Sequence, residues 1–233
     1  MSNFMKEKQI IMGSWPRRIL CALLIGYSSL AVAGTVSAQA GTVSAQDPAY
    51  QFSKRAGTAI NQALVLAQKD EYQKAIDVLQ VELAGNDLSP AEFGTIYQMM
   101  GQYNYELDNV PLAILAFQNA VSSGGVKSSE AENLQLVVAQ LMIGNGNFRE
   151  GGEQLERLIE THEAPKLQYI ELLVNALVQA EDYPRAVPWA ETWFEKAEPK
   201  SKRHYDLLTF LYSELGMTEA KQKISKERSD QGL

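Results

Sequence analysis

The stretch that decides the fold is YQMMGQYNYELDNVPLAILAFQNA, residues 97–120. It carries two runs of helical periodicity, with no alternation of the kind a strand needs. The first run sets Tyr97, Met100 and Gly101 on one face. The second sets Ala113, Phe117 and Ala120 on one face, and the polar turn at Asp108-Asn109 separates them. A small residue in the middle of each run lets two helix axes approach closely. Gly101 and Ala113 are therefore expected to face each other where the two helices touch. Phe117, four residues on, fills the same face.

The pattern around Ala113 recurs along the chain. The copies are Glu71-Tyr72-Gln73-Lys74-Ala75-Ile76, Asn109-Val110-Pro111-Leu112-Ala113-Ile114, Asn147-Phe148-Arg149-Glu150-Gly151-Gly152, Asp182-Tyr183-Pro184-Arg185-Ala186-Val187 and Gly216-Met217-Thr218-Glu219-Ala220-Lys221. The small residue falls at Ala75, Ala113, Gly151, Ala186 and Ala220, in steps of 38, 38, 35 and 34. Four residues later stand Leu79, Phe117, Leu155, Ala190 and Ile224. Ala63, Gly101, Ala139, Val174 and Leu208 take the middle of each first helix. A period of this size suits two helices of about 14 residues with short turns. The second copy resembles a tetratricopeptide repeat strongly and the others moderately, over residues from about 56 to 228. The resemblance implies an all-α fold, a right-handed α-solenoid of antiparallel helix pairs with about four units and a capped fifth.

Helix punctuation agrees with this reading. Asp47-Pro48 reads as an N-cap followed by proline. Ser89-Pro90-Ala91-Glu92 and Ser129-Glu130-Ala131-Glu132 read as capping boxes, each opening the first helix of a unit. Gly144-Asn145-Gly146 and Gly216 suit helix ends. Pro188 is expected to bend the second helix of unit four or delay its start. The final segment, Glu219 to Arg228, is polar apart from Ile224, as the solvating end of a stack should be.

The N-terminal residues follow a different logic. Lys6, Lys8, Arg17 and Arg18 make residues 1–18 basic, Ile19 to Ala33 is an apolar run, and small residues follow. Basic, apolar, small is the order of a secretion signal, and the run falls short of the roughly 20 residues a membrane span needs. Residues 1–40 read as signal, cleaved between 33 and 46, with either Met1 or Met12 as the start. Residues 41–46 read as linker, where Gly41-Thr-Val-Ser-Ala-Gln46 duplicates Gly34-Thr-Val-Ser-Ala-Gln39. The solenoid is assigned to 47–228 and a tail to 229–233. Cys21, the sole cysteine, lies in the signal, and Arg18-Ile19-Leu20 before it lack the small residue of a lipidation site. The mature chain is thus expected in the periplasm, without disulfides or stable membrane insertion. It loses four basic residues and one acidic one with residues 1–46, so the formal charge passes from −7 to −10. That sign argues against a nucleic-acid partner.

No catalytic constellation stands out. His162 and His204 lack partners at metal-ligand spacing, and a zinc site needs at least three protein ligands. No phosphate-binding loop, dinucleotide fingerprint or nucleophile elbow occurs. Glu153, Glu156 and Glu160 share a helix face and read as solvated. No cofactor is expected and the chain is read as a non-enzyme.

Protein or extended-peptide binding is the remaining task. Solenoids bind along the concave side, lined by first helices. The repeat places there Thr95, Gln98, Gln102 and Tyr105; Asn133 and Gln140; Gln168, Glu171, Asn175 and Gln179; and Lys202, Tyr205, Asp206, Thr209 and Tyr212. Gln102, Gln140 and Asn175 occupy one position of successive units and are expected to form a row. Tyr205 and Tyr212 are expected to be exposed. Amides donate and accept, which suits a peptide backbone. Ile60 and Leu64 occupy the places where some relatives hold a C-terminal carboxylate with Lys, Asn and Arg. Pro184-Arg-Ala-Val-Pro-Trp-Ala-Glu191 and Arg203-His-Tyr-Asp-Leu-Leu208 more weakly resemble periplasmic repeat proteins associated with TonB energy-transduction systems. That likeness implies a partner in outer-membrane uptake. A scaffold for envelope or polysaccharide assembly would use the same groove, and an enzyme with an unrecognised site is the remote third reading.

Overall fold

The computed structural model describes residues 52–85, 87–161 and 164–233. The signal, linker, Asp47-Pro48 and His162 readings lie outside them. The described residues form ten helices. They are α1 (Lys54–Ala67), α2 (Tyr72–Leu83), α3 (Pro90–Glu106), α4 (Val110–Ser122) and α5 (Ser128–Gly144). They continue with α6 (Phe148–Glu160), α7 (Leu167–Gln179), α8 (Tyr183–Lys196), α9 (Lys202–Glu214) and α10 (Thr218–Asp230). The expected all-α architecture of paired helices is present. Two compact units divide the described chain, residues 52–141 and 142–233, with the boundary inside α5.

One turn recurs five times. Asp70, Asp108, Gly146, Glu181 and Gly216 each take a left-handed backbone, with φ of 59°, 61°, 89°, 59° and 66°. At each turn the next N–H bonds back five residues, as in Glu71 to Leu66, Asn109 to Asn104 and Met217 to Tyr212. The left-handed residue itself bonds back three, as in Asp108 to Tyr105. This is the Schellman end, which satisfies carbonyls the helix leaves open. The second helices then start at Tyr72, Val110, Phe148, Tyr183 and Thr218. By this landmark the last step is 35, not the 34 that the small residues give. Pro188 lies exposed inside α8 and does not delay its start at Tyr183.

In residues 52–141 the core joins Ala63, Ala75, Leu79, Ile96, Met100 and Tyr103. Each fully buried large side chain contributes roughly 1.5–3 kcal/mol. The small positions of this unit are buried as expected, and the atoms nearest the open face of Gly101 belong to Phe117. A Cβ on Gly101 would lie 2.6 Å from the Phe117 ring, which packs closely on the bare backbone. The loop after α4 packs equally closely: a Cβ on Gly125 would fall 1.8 Å from the Pro90 carbonyl oxygen.

The Ser89 capping box is formed, and it does more than close α3. Glu92 Oε2 accepts the Ser89 N–H at 2.7 Å, and its Oε1 accepts the Ser53 N–H at 2.6 Å. Ser53 is the N-cap of α1, so one carboxylate, 2% exposed, ties two helix starts together. Ser129 is not a cap. Helix α5 begins at Ser128, because the Lys127 carbonyl already accepts from the Glu130 and Ala131 N–H groups.

In residues 142–233, α7 is buried almost all round, through Ile170, Leu172, Leu173, Val174, Ala176, Leu177 and Val178. Phe194 of α8 meets Tyr205 of α9 edge to face at 5.0 Å. Glu156 is no solvated carboxylate: it pairs with Arg185 and accepts the Trp189 indole N–H at 2.8 Å, fastening α6 to α8. Ile224 is the one buried residue of α10. That helix runs to Asp230, two residues into the segment assigned as tail.

Candidate binding groove

Helix α3 presents Thr95, Gln98, Gln102 and Tyr105 along one face by helical spacing, all half-buried. Gln98 Nε2 donates to Glu130 of α5 at 3.0 Å, which carries the face from one first helix to the next. Gln102 Nε2 donates to Glu106 at 2.7 Å. Asn133 is exposed on α5. Gln140 is not available. It lies in the run Val138, Ala139, Gln140, Leu141, each buried, and four consecutive residues cover most of a helix circumference. The row expected from Gln102, Gln140 and Asn175 therefore lacks its middle member.

In residues 142–233, Gln168 is exposed and Glu171, Asn175 and Gln179 are half-buried along α7. Glu171 pairs with Arg203 of α9 at 2.7 Å. Lys202 and Asp206 are exposed and Thr209 is half-buried. Asp206 accepts from Arg228 of α10 at 2.7 Å.

Tyr205 and Tyr212 contradict their assignment. They are 0% and 7% exposed. The Tyr205 hydroxyl donates to Glu227 at 3.2 Å and the Tyr212 hydroxyl to Glu191 at 2.8 Å. Burial, and then the bond to Glu191, raises the Tyr212 pKa well above its usual 10. The physical reason is register. With the 35-residue step, Tyr205 and Tyr212 take the places of Ile170 and Leu177, both buried. The groove positions matching Gln168, Glu171 and Asn175 are then Arg203, Asp206 and Phe210. Arg203 and Phe210 were missed by the sequence reading. The equal spacing of the turns, Glu181 to Gly216, was the signal that could have found them.

The two faces offer amides, one exposed lysine and charges largely closed in pairs. Among the described residues no group of three or more His, Cys, Asp or Glu is placed to hold a metal ion. None of their helices is long and apolar enough to cross a membrane. A separate shallow hollow of about 650 Å³ lies between α1 and α2, lined by Ala59, Gln62, Val78 and Val81 and flanked by the Arg55–Glu82 pair.

By sequence, no protein family and no curated protein matches this chain. By structure, it is similar to a tetratricopeptide repeat protein from Parabacteroides merdae, at 13% identity over 77% of this chain and 68% of that one, with a TM-score of 0.51. It is also similar to MamA from Desulfovibrio magneticus RS-1, at 13% identity over 77% of this chain and 94% of that one, with a TM-score of 0.49. At such identity the likeness is one of fold, and the first of the two shows that fold to be of the tetratricopeptide type.

Proposed function

We propose that this chain is an exported protein-binding module whose partner is held on first-helix faces, that of α3 within residues 52–141 and that of α7 within residues 142–233. The observation that carries the reading is the run of half-buried amides, Gln98 and Gln102 in one unit and Asn175 and Gln179 in the other. An amide can give and take a hydrogen bond at once, which a peptide backbone demands at alternate atoms. The ion pairs Glu171–Arg203 and Asp206–Arg228 leave the α7–α9 face near neutrality, so a mainly neutral polar segment is the ligand expected. Export rests on the basic, apolar, small order of residues 1–46, and a periplasmic destination follows from the same reading. The weaker resemblance at 184–191 and 203–208 makes a component of a TonB-type uptake system the first partner to test. A scaffold for envelope or polysaccharide assembly, working through the same groove, is the second.

The test is site-specific photo-crosslinking in intact cells. Crosslinkers at Gln98, Gln102 and Asn175 should capture one partner, and a crosslinker at the exposed Leu115 of α4 should not. The double variant Gln98→Ala, Gln102→Ala removes two amides at roughly 0.5–1.5 kcal/mol each, so retention should fall about tenfold with circular dichroism unchanged. Equal capture from Leu115, or full retention by the folded double variant, overturns the reading.

A further inference from the structure

Ser201 is the N-cap of α9. Its backbone N–H is not held by a carboxylate, as the Ser89 N–H is. The third residue of the helix, His204, reaches back instead, and its Nδ1 accepts the Ser201 N–H at 2.8 Å. Ser201 Oγ lies 2.9 Å from the same nitrogen. This place in a capping box usually holds Glu or Gln. A ring nitrogen that accepts an amide N–H carries no proton, so the proton of the neutral ring is on Nε2.

We propose that His204 makes the start of α9 a proton-sensitive cap. Protonation of Nδ1 turns the acceptor into a donor, releases the Ser201 N–H and leaves Ser201 Oγ as the acceptor for the new N–H. The first turn of α9 then loosens, and with it the segment that carries Lys202, Arg203 and Asp206. An imidazolium at a helix N-terminus also opposes the helix dipole, which favours negative charge there. The cap itself does not depend on the groove reading. Its effect on a partner does.

The charged groups around the ring are few. Glu171 of α7 attracts a proton to it, and Arg203 and Lys200 repel one. The Trp193 ring of α8 lies 4.3 Å away by centroids, and burial against it removes water from the imidazole. Glu227 and Arg228 of α10 are engaged with the neighbouring Tyr205 and Asp206. Burial comes first among these effects and holds the His204 pKa below its usual 6.5. The cap is therefore intact above that value and is lost as pH falls through the lower folded pKa.

Nitrogen-15 NMR of the mature chain tests this directly. The expected result has three parts: an Nε2–H tautomer at pH 8, a His204 midpoint below 6.5, and a Ser201 amide shift that follows the same midpoint. The Ser89 amide, held by Glu92, should stay constant through that range and serves as the internal reference. In His204→Gln, the side-chain carbonyl still accepts the Ser201 N–H but does not titrate, so the pH dependence of the Ser201 amide should vanish. An Nδ1–H tautomer, or a Ser201 amide that ignores the ring's titration, overturns the proposal even if the variant fails to fold. If the cap titrates as expected but crosslinking to the partner is equal at pH 8 and at pH 5, the switch stands and its link to the groove falls.

Discussion

Gly101 shows how one missing atom sets a helix pair. Its bare backbone is the bed of the Phe117 ring, and a methyl group there would stand 2.6 Å from two ring carbons. Gly101→Ala should therefore lower stability by roughly 1–3 kcal/mol through overpacking, against the usual gain from glycine to alanine in a helix. Gly152→Ala supplies the contrast. Its Cβ would meet Ala176 at 3.5 Å, an ordinary contact, so helix propensity should prevail and raise stability by about 0.5–1 kcal/mol. Paired thermal melts decide both signs. Glu92 makes the complementary case for charge. Burial alone would raise its pKa, but the hydrogen bonds from Ser89 and Ser53 outweigh that and bring it from 4.5 to about 2. A depressed carboxyl pKa stabilises the fold above the unfolded value. This contribution should be complete above pH 4.5 and disappear as pH falls towards 2. Glu92→Gln should flatten the pH dependence of unfolding free energy within that window, which urea titrations at a series of pH values would show. The capping box at Ser89 was legible from four adjacent residues. The bond to Ser53, 39 residues away, was not, because no local pattern encodes a long-range partner.

At the level of elements, the recurring turn is the most regular feature of the chain. Asp70 and Asp108 tolerate the left-handed backbone better than most residues do, but Glu181, at φ 59°, is a poor choice for it. Glu181→Gly should raise stability by roughly 0.5–1 kcal/mol, since strain is removed where glycine costs least. Differential scanning calorimetry would detect it, and a lower melting temperature would contradict the account. The same landmark explains the misplaced tyrosines. One residue of register rotates a helix by about 100°, enough to move Tyr205 from an expected groove to the centre of the packing. Tyr205→Ala should then cost about 3–5 kcal/mol as a large core deletion. Circular dichroism should show lost helix, where an exposed groove residue would leave the spectrum intact.

For the whole molecule, the acidic mature chain and the order of residues 1–46 bear on where it works. Export predicts that protein purified from the envelope has lost its basic N-terminus and begins between residues 34 and 47. Intact mass spectrometry reads this directly, and a species retaining Met1 or Met12 would contradict it. The stack also needs a solvated end. Helix α10 meets that need with Ile224 as its sole buried residue and a polar remainder facing water.

The helix pairs and the spacing of the first four units could be read from the chain alone, because they arise from interactions a few residues long. These are apolar spacing of three and four, small residues at close crossings and glycines at helix ends. The sides on which those helices are buried could not be read in the same way. Burial of Gln140, the seat of Phe117 on Gly101, the Glu171–Arg203 pair and the inward turn of Tyr205 and Tyr212 all depend on helices packed from distant parts of the chain. In the last unit the helix faces follow the turn at Gly216 and not the alanine at 220, and α9 buries Tyr205 edge to face with Phe194 of α8.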